Sequence, residues 1–233
     1  MQSAFDCTPM IYILDIDGTL IPSAEIDNTC YWQAAGRAFG VSGEPLALHG
    51  FRDVTDSGIL QEWHRRRFGT DPAEGAVRAM REAFLSLTRE AAARDPRAFR
   101  PVAGVERWLD RRAERGEPVA LATGGWGHTA RFKLDRSGLA RYRLPLASSD
   151  DAVRRVDIML AARELLPASP GNGKASGDVT FIGDGVWDLR ASQELGWDFI
   201  GLASGDRRRR LLEAGAKRVV PDFRRLVPDG PPA

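Results

Sequence analysis

Lysine is scarce in this sequence. It occurs only at Lys133, Lys174 and Lys217, in a chain of 233 residues whose Lys and Arg together number 33. Arginine carries nearly all the positive charge, a skew of the kind genome composition imposes. The 32 acidic residues balance it to a net charge of +1, so no surplus of one sign favours nucleic acid or an acidic membrane surface. Cysteine is scarcer still. Cys7 and Cys30 are too few for a disulfide framework or a thiolate metal knuckle, and a reduced, cytoplasmic protein is expected. The three histidines, His49, His64 and His128, have no ligand-like spacing, and His64 lies among arginines on an expected solvated helix face. No apolar run approaches membrane-spanning length, and the opening MQSAFDCTPM lacks the basic-then-apolar order of a signal peptide. The GNGKAS segment around Lys174 lacks the upstream Gly and the following Ser/Thr of a P-loop.

Hydrophobic residues make up 43% of the chain, enough for a substantial core. The densest signal is MIYILDIDGTL, residues 10–20. An apolar run there stops abruptly at two carboxylates, Asp15 and Asp17, followed by Gly18 and Thr19. Short apolar runs bounded by turn residues read as buried strands, and a buried parallel strand delivers its chemistry at its carboxyl end. Two carboxylates at that point imply a cation or a proton held between them.

The chain then changes character. Residues 23–39, 56–68 and 71–93 read as helices: Ser23 and Thr55 as N-caps of the first two, Asp71, Pro72 and Glu74 as N-cap, N1 and N3 of the third. No strand signal appears until about residue 100. From there short apolar strands (119–123, 144–147, 179–183, 199–202, 218–220) alternate with helices (105–115, 126–137, 155–166, 189–195, 207–214). Alternation of this kind predicts an α/β fold with a parallel sheet covered on both faces. Residues 1–22 and 100–233 are therefore expected to form a Rossmann-like core, and residues 23–99 an inserted α-helical domain. Trp32, Trp63 and Trp108 are expected to pack, and Arg207 to Arg210 to form a solvated helix face.

Three further segments sit after strands or at helix starts. LATGG places the Thr123 hydroxyl and the Gly124 backbone where a tetrahedral anion would fit. FIGDGVWD brings Asp184 and Asp188 to a strand end, and hard oxygen donors with an incomplete cage suit Mg2+. SSDDAVRRVDIM offers Arg155, with Arg154 second, as a fixed cation at a helix start. Lys133 and Lys174 are the next candidates for that charge.

Taken together, DIDGT, LATGG and GDGVWD resemble, in order and spacing, motifs I, II and IV of the haloacid dehalogenase-like superfamily. The likeness extends to the helical-cap subgroup of phosphoglycolate phosphatase-like enzymes, where GFRDVTDSGIL is similar to a cap segment of some members. Motif III departs from the family pattern, since Arg155 or Arg154 stands where Lys is usual. The resemblance implies a Mg2+-dependent phosphatase acting on a small phosphorylated metabolite through an aspartyl-phosphate. In that scheme Asp15 is the nucleophile, Asp17 the general acid and base, and Thr123 and Gly124 hold phosphoryl oxygens. Arg155 offsets charge, and Arg52 reaches the substrate from the cap. Mg2+ is held by Asp15, the Asp17 carbonyl, Asp184 and Asp188. A phosphomutase of the β-phosphoglucomutase type, or a non-catalytic binding protein of the same fold, is the alternative. Neither a nucleic-acid nor a membrane partner is expected.

Overall fold

The computed structural model describes residues 10–42, 47–167 and 179–226. Cys7, Lys174, most of the 167–177 loop and the PDGPPA tail lie outside them. The sheet contains β1 (Ile11–Leu14), β2 (Val119–Ala122), β3 (Leu146–Ala147), β4 (Val179–Gly183), β5 (Asp198–Leu202) and β6 (Val219–Val220), all parallel, in the order β3-β2-β1-β4-β5-β6. This is the expected α/β architecture. The strand order reverses at β1, so a crevice opens at the carboxyl ends of β1, β2 and β4.

Alternation along each central strand divides the core. Ile11 and Ile13 of β1, Ala120 and Ala122 of β2, and Phe181 of β4 face α6 (Arg155–Glu164) and α7 (Val186–Leu195), against Ile158, Met159 and Ala191. Leu14, Leu121 and Ile182 face the other way, toward α4 (Val105–Glu114) and α5 (Gly127–Ser137). There Trp108 meets Tyr12 edge to face, with ring centroids 5.0 Å apart. The last helix, α8 (Gly205–Glu213), packs through Leu211 on Leu189 and Ala203.

Between β1 and β2 the chain forms α1 (Ala24–Phe39), α2 (Asp56–Phe68) and α3 (Glu74–Arg94), with no strand among the described residues there. Tyr31 of α1 packs on its neighbour Trp32, on Phe84 of α3 and on Trp126, which joins this helical layer to the sheet layer. Thr55 caps α2 as expected, its hydroxyl accepting the Gly58 N–H at 3.1 Å. The other two expected caps differ. α3 begins at Glu74 with Ala73 as its N-cap, because Asp71 instead pairs with Arg65 at 2.6 Å. Ser23 sits at the N-cap position of α1 as expected, but makes no side-chain cap bond and donates its hydroxyl to Asp17. His64, expected to be solvated, lies against Phe39 and Phe68, and its Nδ1 contacts the Thr70 carbonyl at 2.6 Å.

Candidate active site

The β1 carboxyl end is held by the Asp15 N–H, which donates to the Ile182 carbonyl at 2.9 Å. The chain then folds back tightly: Gly18, at φ +82°, donates to the Ile21 carbonyl at 2.7 Å. A Cβ on Gly18 would collide with the Asp184 carboxylate. Position 18 therefore needs Gly twice over, for its left-handed backbone and for the close approach of Asp184.

Asp15, Asp184 and Asp188 converge, with one oxygen of each within 4.8 Å of the others. All three are buried. Arg155, the first residue of α6, is also buried, and its Nη2 lies 2.9 Å from Asp15 Oδ1. Its Nε donates to Asp188 Oδ1 at 2.7 Å, and its Nη2 also bonds that oxygen. Asp188 is the N3 residue of α7, and its other oxygen accepts the Gly185 N–H at 3.1 Å. Arg154, one residue earlier, touches none of these acids: at the rim of the same crevice its exposed side chain pairs with Glu194 at 2.7 Å. Asp184 Oδ2 is paired with Arg207 Nη1 at 2.8 Å. Arg207 was expected in solvent with its neighbours; the side chain is half exposed, yet it reaches back to this buried carboxylate.

The electrostatic balance is negative. Burial pushes Asp15 well above the usual carboxylate range; Arg155 opposes this, while Asp188, Asp184 and Asp17 add to it. Burial and then Asp188 push Asp184 up to about 7 against the pull of Arg207 and Arg155. For Arg155, burial works to lower the value, but Asp188 and Asp15 more than reverse it. Three acids face two guanidinium groups, Arg155 and Arg207, and a further positive charge among them would relieve this excess.

Asp17 points elsewhere. Its two oxygens accept from Lys133 Nζ at 2.7 and 2.6 Å, and Oδ1 also accepts from Ser23 at 2.5 Å. Lys133, on α5, is fully buried and pairs with Asp27 of α1 at 2.6 Å as well. Asp27 is pushed up to about 6 by burial and by Asp17, against Lys133. Sequence reasoning named Lys133 only as a substitute for Arg155 and missed this position. The available signal was one of only three Lys in an Arg-rich chain, on a helix whose neighbouring Ala130 and Leu134 face the core.

Thr123 follows β2, buried, and its Oγ1 accepts the Gly125 N–H at 3.1 Å, which leaves the hydroxyl proton free to donate. A cavity of about 840 Å³ contains Asp15, Asp17, Thr123, Gly124, Arg155 and Asp184 in its wall. The start of α2 roofs it. The Asp56 N–H donates to the Gly124 carbonyl at 2.7 Å, Thr55 Oγ1 to the Val153 carbonyl at 2.7 Å, and Ser57 Oγ to the Ser149 carbonyl at 3.0 Å. A Cβ on Gly124 would meet Arg155 at 2.6 Å and the Val54 carbonyl at 2.8 Å, so roof and floor meet there. Arg52 also lines the cavity, exposed, with its backbone N–H bonded to Glu62 at 2.9 Å.

A family model described as haloacid dehalogenase-like hydrolase matches residues 9–196. No curated protein matches the chain by sequence. Among solved structures it is similar to a hydrolase from Pseudomonas syringae (TM-score 0.68, 22% identity, 90% of this chain and 92% of that one). It is also similar to CbbY from Rhodobacter sphaeroides in complex with phosphate (0.68, 21%, 94% and 96%). A predicted phosphoglycolate phosphatase from Haemophilus somnus 129PT gives 0.62 at 15% identity over 94% and 96%. At these identities the likeness is one of fold. None of the helices is long and apolar enough to cross a membrane, among the described residues.

Proposed function

The chain belongs to the haloacid dehalogenase-like hydrolases and is an enzyme, and on that premise we propose that it is a Mg2+-dependent phosphatase of a small phosphorylated metabolite. The observation that carries this is the group Asp15, Arg155, Asp188 and Asp184: a buried carboxylate at a strand end, 2.9 Å from one buried guanidinium and beside two further acids. The donors fit Mg2+. They are hard carboxylate oxygens, they are close together, and they carry more negative charge than Arg155 neutralises. Asp15, Asp184, Asp188 and the Asp17 backbone carbonyl would hold the ion, which when bound offsets the repulsion between Asp15 and an incoming phosphate.

The chain's own groups do the rest. Asp15 attacks phosphorus, so an Asp15 O–P bond forms while the ester P–O bond breaks and its electrons leave with the alcohol oxygen. Asp17 gives that oxygen a proton. In the second step Asp17 takes a proton from the water that displaces Asp15. The Thr123 hydroxyl and the Gly124 backbone bind phosphoryl oxygens, and Arg155 keeps Asp15 oriented and opposes its protonation. Residues 23–99 act as a cap. Its segment at Asp56 and Ser57 closes the cavity, and Arg52 meets the organic part of the substrate.

The test is release of inorganic phosphate from p-nitrophenyl phosphate with Mg2+, its loss on adding EDTA, and its loss in Asp15→Asn, which keeps the shape of the side chain and removes its charge. Metal-independent release, or turnover by Asp15→Asn near that of the wild type, refutes the proposal. The cavity of about 840 Å³ also leaves room for a sugar phosphate to turn over within it. A phosphomutase would use the same residues, and an isomerised ester in place of free phosphate identifies it.

A further inference from the structure

Lys133 is a buried cation that the reaction as proposed above does not use. Its ammonium group has three protons, and all three are committed: to Asp17 Oδ1 at 2.7 Å, Asp17 Oδ2 at 2.6 Å and Asp27 Oδ1 at 2.6 Å. No part of Lys133 is exposed. Stability is a poor reason for such a group, because a well-packed apolar side chain commonly serves as well or better than a buried ion pair. What the arrangement does supply is a fixed orientation for Asp17.

The two oxygens of Asp17 are held unequally. Oδ1 accepts from both Lys133 and Ser23, whereas Oδ2 accepts from Lys133 alone. Oδ2 faces the loop that follows β2: a Cβ on Gly125 would lie 3.7 Å from it and 3.4 Å from Thr123 Oγ1. Asp27, at the start of α1, holds Lys133 as well, at 2.6 Å, which ties the ammonium to a second element besides the Asp17 turn.

On the phosphatase reading given above, we infer that Lys133 is a positioning residue: with Ser23 it clamps Asp17 so that Oδ2 faces the Thr123–Gly125 loop, where the leaving oxygen and then the attacking water must lie. The proton that leaves Asp17 Oδ2 goes to the alcohol oxygen as the ester bond breaks. The proton that returns comes from the water whose oxygen takes Asp15's place on phosphorus. Lys133 touches neither reacting oxygen and acts only through Asp17.

The test compares wild type, Lys133→Met and the charge-balanced Lys133→Met/Asp27→Asn, which provides a soluble variant if the first leaves Asp17 and Asp27 too strongly opposed to fold. A misplaced proton donor should lower kcat on an alkyl phosphate by roughly 10- to 100-fold with KM little changed. In single-turnover experiments, formation of phospho-Asp15 from p-nitrophenyl phosphate, whose leaving group needs no acid, should fall by a much smaller factor. Phospho-Asp15 should then persist, visible by intact mass after an acid quench, because water is not activated. Equal losses on both substrates, or a raised KM with kcat preserved, would show that Lys133 only supports packing and overturn the inference. A crystal structure of the double variant gives an answer that does not depend on turnover: Asp17 should leave its present rotamer, and an unmoved carboxylate overturns the clamp. A wild type that releases no phosphate refutes the phosphatase reading, and the crystal structure still decides the clamp.

Discussion

Asp184→Asn is expected to make the metal-free protein more stable while abolishing its response to Mg2+. In the folded chain Asp184 is pushed from 3.8 up to about 7, chiefly by burial and then by Asp188. A carboxyl group whose folded value lies above its unfolded value binds its proton more tightly in the folded state. Its contribution to stability is therefore fully present below pH 3.8 and is lost as the pH rises through about 7. At about 1.4 kcal/mol per pH unit over that window, the ionised carboxylate costs about 4 kcal/mol at pH 8 relative to pH 3. Asparagine removes this cost. The value of about 7 already includes the pull of Arg207 on the carboxylate. A gain of about 4 kcal/mol corresponds to a rise in Tm of about 8–16 °C for a chain of this size. Differential scanning fluorimetry of EDTA-stripped protein should show that rise at pH 8 and little of it at pH 4. Adding Mg2+ should raise the wild-type Tm by mass action and leave the variant unmoved. A variant that melts below wild type at pH 8, or that gains as much from Mg2+, would refute both the charge imbalance and the assignment of Asp184 as a ligand.

Three other outcomes are expected. Arg155→Ala should reduce kcat by at least roughly 100-fold, because it leaves Asp15 and Asp188 buried without their guanidinium, whereas Arg154→Ala, which loses exposed pairs with Glu194 and Asp157, should stay within about twofold; equal effects in a steady-state phosphate assay would move the motif III cation elsewhere. Asp17→Asn should slow alkyl phosphate hydrolysis by roughly 100- to 10,000-fold and let phospho-Asp15 accumulate from p-nitrophenyl phosphate, checked by quench and intact mass. Arg52→Ala should raise KM for the natural substrate, found by screening phosphorylated metabolites, while sparing p-nitrophenyl phosphate; matching losses on both would assign Arg52 to packing.

Most of the sheet was legible because its strands are short apolar runs that stop at glycines and acids. β4 was predicted with the bounds it has, Val179–Gly183, and β1 ends at Leu14, just before Asp15, as expected. Strand ends are also where the candidate residues were sought, so Asp15, Thr123 and Asp184 were found by position as much as by type. Side chains that reach the crevice from helix interiors were not legible. Lys133 and Arg207 carry no local pattern that distinguishes them from solvated cations; only the packing of α5 and α8 brings them to Asp17 and Asp184. The cap at Asp71, and the cap bond though not the cap position at Ser23, failed for a related reason. Each residue had a second partner, Asp17 and Arg65, that lies six positions away and wins over the local backbone bond. Roof contacts such as Asp56 to Gly124 join segments far apart in sequence and left no signature in either.

The central place of β1 has a consequence for how the protein is made. Among the described strands β1 is synthesised before the others, yet its partners begin at Val119 on one side and Val179 on the other. At bacterial-to-eukaryotic synthesis rates of about 5–20 residues per second, one edge waits roughly 5–20 s and the other roughly 10–30 s for a neighbour. For that interval the nascent chain carries an apolar, β-prone segment with both edges open, the kind of segment that seeds aggregation. Charged residues at the flank of such a run discourage intermolecular pairing. Asp15 and Asp17 occupy that flank. Long before Arg155 or Lys133 has been added to the chain, the same two carboxylates act as gatekeepers for the strand that later presents them.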